Sequence, residues 1–170
     1  MQAIQTQARE HLFESWSRNA RVNESLLDHL TPDLMTLRPP EGGWTVAQHL
    51  VHLIGFRKGW LSYVSPRHQE DLSFLFSGDE EGEFEPTTLD SAVMKEAFRA
   101  GDAAVLAAVQ EAIAAGGSFG VKVYVDDPRA FMQHALVHDA HHRAQILMTL
   151  RLAGHPWREA DGPMWAPWRE

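Results

Sequence analysis

The stretch His134-Ala-Leu-Val-His138-Asp-Ala-His141-His142-Arg-Ala-Gln145 strings four imidazoles along one short segment. A helix turns about 100° per residue, so His142 projects about 40° from His138 on the next turn. An i, i+4 histidine pair of this kind chelates zinc or a similar cation. Phe131, His134, Gln145, Thr149 and Leu152 fall within about 40° of His138, so the imidazoles share a stripe with core-type side chains and are expected to face inward. The opposite side carries Leu136, Leu147 and Leu150 beside Arg143. A helix apolar on two faces has more packing surface than one partner in a small domain needs, and a homodimer contact is the expectation.

A third imidazole comes from another segment. His52 shares a helical face with Thr45, Gln48, Phe56, Gly59 and Tyr63, while His49 sits about 60° away. Three neutral imidazoles from two helices, His52, His138 and His142, leave one or more coordination positions open, which is the layout of a catalytic rather than a closed structural site. A cation so held keeps its positive charge and depresses the pKa of a bound water or thiol toward neutrality. The chain has no cysteine, so a thiol nucleophile would have to be a cosubstrate, attacking an electrophile seated against aromatic side chains. Gln145 is placed to orient an imidazole or the substrate, and Tyr63 to offer a hydrogen bond; these are the catalytic candidates. Three histidines suit zinc, nickel, iron and copper, with zinc and nickel ahead of iron as the expected divalent ion.

Other readings stand beside these. His49, His134 and His141 are read as structural, and His11, His29, His68 and His155 as solvent-facing or capping. Asp139 makes His138 to His142 read H-D-x-x-H, close to the metallopeptidase H-E-x-x-H. Aspartate is one methylene shorter and points about 100° away from His138, so it is read as a supporting or helix-surface acid instead of a general base. A non-catalytic metal-binding or ligand-binding protein is the alternative, with a saturated ion whose fourth ligand is His134, His141 or a carboxylate.

The elements that must position these groups are helices. Ile4, Leu12, Phe13, Trp16, Val22, Leu26, Leu27 and Leu30 space a first helix over residues 3 to 30, ended by Thr31-Pro32. Pro39-Pro40-Glu-Gly-Gly43 precedes a second from Trp44 to about Val64, with Trp44 as an anchor at its start. Residues 66 to 87 read as a long acidic loop with a short turn near Leu72 to Phe76; Phe74, Phe76 and Phe84 in it also suit a binding lid. Thr87 or Thr88 is placed to cap a third helix from Leu89 to about Ala115, closed by Gly116-Gly117. Phe119 to Val125 alternates like a strand but stands alone, so it is read as an extended connector. Asp127-Pro128 starts the fourth helix, which runs to about Ala153 and stops at Gly154 and Pro156. The tail from Pro156 to Glu170 is expected to pack across the helices as irregular chain.

Composition bounds the function. A chain of 170 residues that is 44% hydrophobic supports one domain, 1–170, with a well-buried core. A formal charge of -8 without a Lys/Arg-rich face argues against nucleic acid. No apolar run approaches the roughly 20 residues that span a bilayer, and a soluble cytoplasmic protein without membrane contact is expected.

The order Leu37-Arg38-Pro39, Gly43-Trp44-Thr45-Val46-Ala47-Gln48-His49-Leu50-Val51-His52-Leu53 and, far downstream, His138-Asp-Ala-His141-His142-Arg143-Ala144-Gln145-Ile146 resembles the DinB-like superfamily of metalloproteins over essentially the whole chain. The resemblance implies an all-α four-helix bundle of up-down-down-up topology, with a divalent metal on His52, His138 and His142 but not on His49 or His141. It also implies frequent homodimers and, in members with assigned activity, transfer of low-molecular-weight thiols such as bacillithiol or mycothiol to small molecules, or related isomerase and hydrolase chemistry. Ala144 stands where glycine is common, a departure expected to affect helix packing more than ligation.

Overall fold

Capping residues set the helix boundaries. In this computed structural model, which describes residues 2–78, 84–158 and 164–168 with side chains from residue 7 onward, the chain forms four long helices and one short one. They are α1 (Gln2–Asp28), α2 (Pro32–Met35), α3 (Val46–Val64), α4 (Ser91–Ala114) and α5 (Pro128–Leu152). A reciprocal capping box starts α3: the Gln48 N–H donates to Thr45 Oγ1 at 3.1 Å and the Thr45 N–H to Gln48 Oε1 at 2.8 Å. Asp127 caps α5 with proline in its first turn, as the sequence suggests, and Gly154 follows its end at φ +85°. The cap of α4 is Asp90, whose carboxylate accepts from Ala92, and not Thr87 or Thr88. Aspartate two residues before the first orphan donors outcompetes the threonines, and Thr88 instead accepts from the Asp90 N–H.

Two segments expected to be irregular carry structure. Residues 66 to 87 contain a 3₁₀ turn, Pro66–Gln69, and a two-stranded antiparallel ladder of β1 (Phe76–Ser77) and β2 (Glu85–Pro86), in which Phe76 pairs with Pro86. Phe84 is fully buried, and its carbonyl accepts from the Gln48 side chain at 2.8 Å, so the segment is pinned to α3. Gly55 makes this possible, since a Cβ there would stand 2.7 Å from a Phe76 ring carbon. The acidic residues at 79–81 and 83 lie outside the described part. Phe119 to Val125 is not an extended connector, because it ends in a 3₁₀ turn, Tyr124–Asp126, whose residues all have φ between +49° and +56°. Left-handed backbone costs a residue with a Cβ roughly 1–2 kcal/mol. The Asp126 carboxylate offsets it by accepting from the Ser118 hydroxyl and the Phe119 and Gly120 N–H groups.

The core has two apolar clusters, one around Leu26, Leu50, Phe84, Met94, Phe98, Ile146 and Leu150, the other around Trp16, Leu61, Val105, Val109, Phe131 and Met132. Arg57 joins them, its guanidinium lying 4.9 Å from the Phe98 ring and 5.5 Å from the Trp16 ring. Arg57 donates in fork geometry to both carboxylate oxygens of Asp139, at 2.8 and 2.7 Å, and from Nε to Asp102 at 2.9 Å. Asn19 and Asn23 on α1 donate to the same Asp139 oxygen, and their own oxygens accept from Arg143. Gly101 on α4 gives the Arg57 stem its place, since a Cβ would meet it at 3.1–3.2 Å. One charge-balanced network of two arginines and two aspartates thus ties α1, α3, α4 and α5 together. Among the described residues no helix is long and apolar enough to cross a membrane.

Burial alone would raise the Asp139 carboxyl pKa, but Arg57 and the two asparagines hold it below the usual range. Burial wins at Asp102, which is pushed up to about 6 against the pull of Arg57. Because Asp139 is fully buried, Asp139→Ala removes the forked partner of Arg57, leaves Asp102 as its one carboxylate, strands the Arg143 charge beside it, and is expected to lower stability by about 3–5 kcal/mol. Urea denaturation of the metal-free protein measures it, and a loss below about 1 kcal/mol would show that the network does not hold the helices.

Candidate metal centre

Helix α3 brings His49 and His52 into its first two turns, and α5 lays His138 and His142 against them. A ring nitrogen from each of His52, His138 and His142 lies within 4.8 Å of the others, a group able to hold a metal ion. The Nε2 atoms of His52 and His138 face each other at 3.0 Å, near the roughly 3.3 Å between two nitrogens on one tetrahedral zinc. Flat rings hold the imidazoles in place. Phe56 stacks on His138 at 4.1 Å, and Trp44 lies parallel to His142 at 5.9 Å and within 5.0 Å of His52. Trp44 is therefore more than an anchor for the helix start.

Burial lowers His142 to about 3 and His138 to about 4, with repulsion from neighbouring histidines adding to it. Both are neutral at pH 7 and offer lone pairs. The Nδ1 of His138 is buried and has no partner among the described residues, while its Nε2 faces the cluster. Nδ1 of His142 meets Nδ1 of His49 at 3.0 Å, which leaves His142 Nε2 for a cation. The residues present fit a divalent ion.

His49, read from the sequence as structural, touches a candidate ligand directly. It is itself buried, and burial lowers its pKa to about 4, so it is a neutral partner that fixes the tautomer of His142. His134 and His141 stand outside the cluster: His134 Nδ1 bonds the Tyr124 hydroxyl at 2.7 Å, and His141 bonds Gln145 at 2.7 Å. Gln145 is exposed and reaches His141 instead of one of the three clustered histidines. Tyr63 is 56% exposed and stands on the wall of an open cleft of about 740 Å³ that His52 and His138 also line. Phe56, Trp60, Phe74 and Phe76, three glycines and His134 complete that wall. His11 and His155 are exposed, as expected; His29 packs on Trp157, and His68 contacts Ser65 and Glu111.

Two sequence readings of α5 change. Asp139 is not on the helix surface, because the buried stripe is centred on Met132, Ala135, Asp139 and Ile146, one residue round from the histidines. His138 consequently sits at the edge of the core, where it is open to the cleft. On the side bearing Leu136, Leu147 and Leu150 beside Arg143, Leu150 and Arg143 are buried and Leu136 and Leu147 half-buried against the chain's own core, so the fold itself takes up most of that side. The apolar residues that α5 leaves exposed are Val137, Met148 and Leu152. Arg57, Asp102, Asn19 and Asn23 were not singled out in the sequence; only the polar interruptions they make in apolar helices signal them.

The fold and site define an all-α protein with four long helices and a three-histidine group that can hold a metal ion. The chain belongs to the DinB family, whose family model matches residues 1–170. No curated protein and no solved structure matches it.

His138→Ala or His142→Ala is expected to abolish stoichiometric metal with the helical fold intact, and His52→Ala to weaken it. His49→Ala is expected to retain stoichiometry with about tenfold to a hundredfold lower affinity. Elemental analysis and competition with a chelator read both, and full metal in all three ligand variants would dismiss the assignment.

Proposed function

We propose that the chain is a metal-dependent S-transferase that joins a low-molecular-weight thiol, of the bacillithiol or mycothiol kind, to an electrophilic small molecule. One observation carries this reading: three imidazoles converge beside an open, aromatic cleft, and two of them, His52 and His138, line its wall, so an ion held there is reachable by small molecules. A divalent cation, zinc or nickel first and iron next, supplies the positive charge that turns a coordinated thiol into a nucleophile at neutral pH. His52, His138 and His142 hold it, and His49 fixes the ring of His142. Phe56, Phe74 and Phe76 keep water from the reacting atoms and seat the apolar part of the electrophile. Tyr63 offers its hydroxyl from the cleft wall, and Gln145 with His141 steadies the outer edge of the His142 ring, 5.1 Å from that of His141. The absence of cysteine from the chain fits a reaction in which the thiol arrives from solution.

The proposal extends to the assembly. We take the four long helices as an up-down-down-up bundle and the exposed stripe of Val137, Ala144, Met148 and Leu152 on α5 as the contact of a homodimer in the cytoplasm. Light scattering on a size-exclusion column is expected to give twice the chain mass, and Met148→Glu to give the monomer. A wild-type monomer at micromolar concentration removes the dimer from the proposal.

The test of activity is elemental analysis of the untagged protein followed by calorimetric titration of cysteine, bacillithiol and mycothiol into metal-loaded and chelated protein. The expected outcome is near one ion per chain, with thiol binding only to the loaded form. Bound metal with no response to thiols would favour hydrolysis or a binding role, and no metal under any loading would overturn the reading.

A further inference from the structure

Beyond the three-histidine group, the cleft holds one more imidazole, and its placement is unusual. His134 lies one turn before His138 on α5, its ring 5.9 Å from that of His138, and it lines the cleft. Phe56 lies against both, 4.1 Å from His138 and 5.4 Å from His134. The rings therefore form a row with a polar group at each end and a flat apolar one beside both. His134 Nδ1 is taken by the Tyr124 hydroxyl at 2.7 Å, and its Nε2 has no hydrogen-bond partner among the described residues. Burial raises Tyr124 to about 12, so the phenol keeps its proton at neutral pH and has it available for Nδ1. A phenol that donates to Nδ1 leaves the imidazole proton on Nε2. Tyr124 reaches this place only because the chain accepts three consecutive left-handed residues, one of them the β-branched Val125, which is 94% exposed. Strain of this kind persists where surrounding contacts over-determine it, and it gathers at ligand sites. Here the Asp126 clamp on residues 118 to 120 holds the turn and the Trp60 ring packs on Tyr124 at 5.1 Å.

We propose that His134 is a second polar anchor of the cleft. Its Nε2–H donates to a carbonyl or carboxylate oxygen of a planar aromatic substrate whose reactive end lies at the three-histidine group, and Tyr124 is the positioning residue that sets this tautomer. The inference rests on the metal-dependent reading above and adds the substrate class to it: a flat ring beside Phe56, with a hydrogen-bond acceptor across the ring from the reacting group. A plain structural tie between Tyr124 and His134 would hold the turn but would confer no preference for such an acceptor.

The probes are benzohydroxamate, which offers a metal-binding end and a bare ring, and 4-acetamidobenzohydroxamate, which adds a carbonyl across the ring. Calorimetry on the zinc-loaded protein is expected to show a preference of about threefold to tenfold for the acetamido probe, the effect of one neutral hydrogen bond. His134→Phe is expected to bind both probes equally with unchanged zinc content, whereas His134→Gln, which keeps an N–H donor, retains the preference. Two-bond proton–nitrogen spectra are expected to place the His134 proton on Nε2, and Tyr124→Phe to mix the tautomers and reduce the preference. Equal binding of the two probes by wild type, persistence of the preference in His134→Phe, or a proton on Nδ1 would overturn the anchor and leave the metal-dependent reading intact. Failure of both probes to bind zinc-loaded wild type would overturn that reading and the anchor with it. Should His134→Phe not fold, the glutamine variant and the wild-type tautomer decide.

Discussion

The Arg57–Asp139 ion pair is the interaction on which the site depends. Asp139 directly follows His138 on α5, and Arg57 lies little more than one turn beyond His52 on α3. A fork of two hydrogen bonds between them fixes how far α3 and α5 are displaced along each other, and that displacement brings His52 opposite His138. Apolar packing alone tolerates sliding and repacking, whereas a buried charge pair has one acceptable geometry. Asp102, Asn19 and Asn23 satisfy the remaining hydrogen-bonding capacity of the pair, so the desolvated charges are compensated from every helix that surrounds them.

The same arrangement separates two kinds of polar group that sit side by side. Asp139 and Arg57 are kept charged in the interior by each other, while His49, His138 and His142 are kept neutral by burial and by mutual repulsion. Adjacent positions on one helix thus serve opposite ends. One face locks the fold with a carboxylate, and the next presents lone pairs to a cleft. The aromatic rings of Trp44 and Phe56 restrict how the imidazoles tilt, and the β1–β2 segment, admitted by the missing side chain of Gly55, closes the wall over α3.

Local signals were legible wherever a single residue type governs the backbone. Asp127-Pro128 opens α5, and Gly154 follows its end. The i, i+4 spacing of His138 and His142 was likewise visible, since helical periodicity converts directly into shared direction. Less legible were segments whose conformation comes from distant partners. The turn at Tyr124–Asp126 contradicts the alternation of its own residues because Asp126 and His134 hold it, and Phe84 takes its place through the hydrogen bond from Gln48 on α3.

By itself the sequence determined the helical class, both ends of α5 and the histidines able to share a face, because each follows from backbone sterics and period. Only the tertiary structure decided which of the neighbouring imidazoles meet. His49 and His52 lie three residues apart, yet one Nδ1 turns to His142 and the other residue's Nε2 to His138. The tertiary fold also decided that Asp139 belongs to the interior and that His138 lies at an open edge. Burial and pairing depend on what other helices place opposite a residue, and that information is spread over the chain from Asn19 to Arg143.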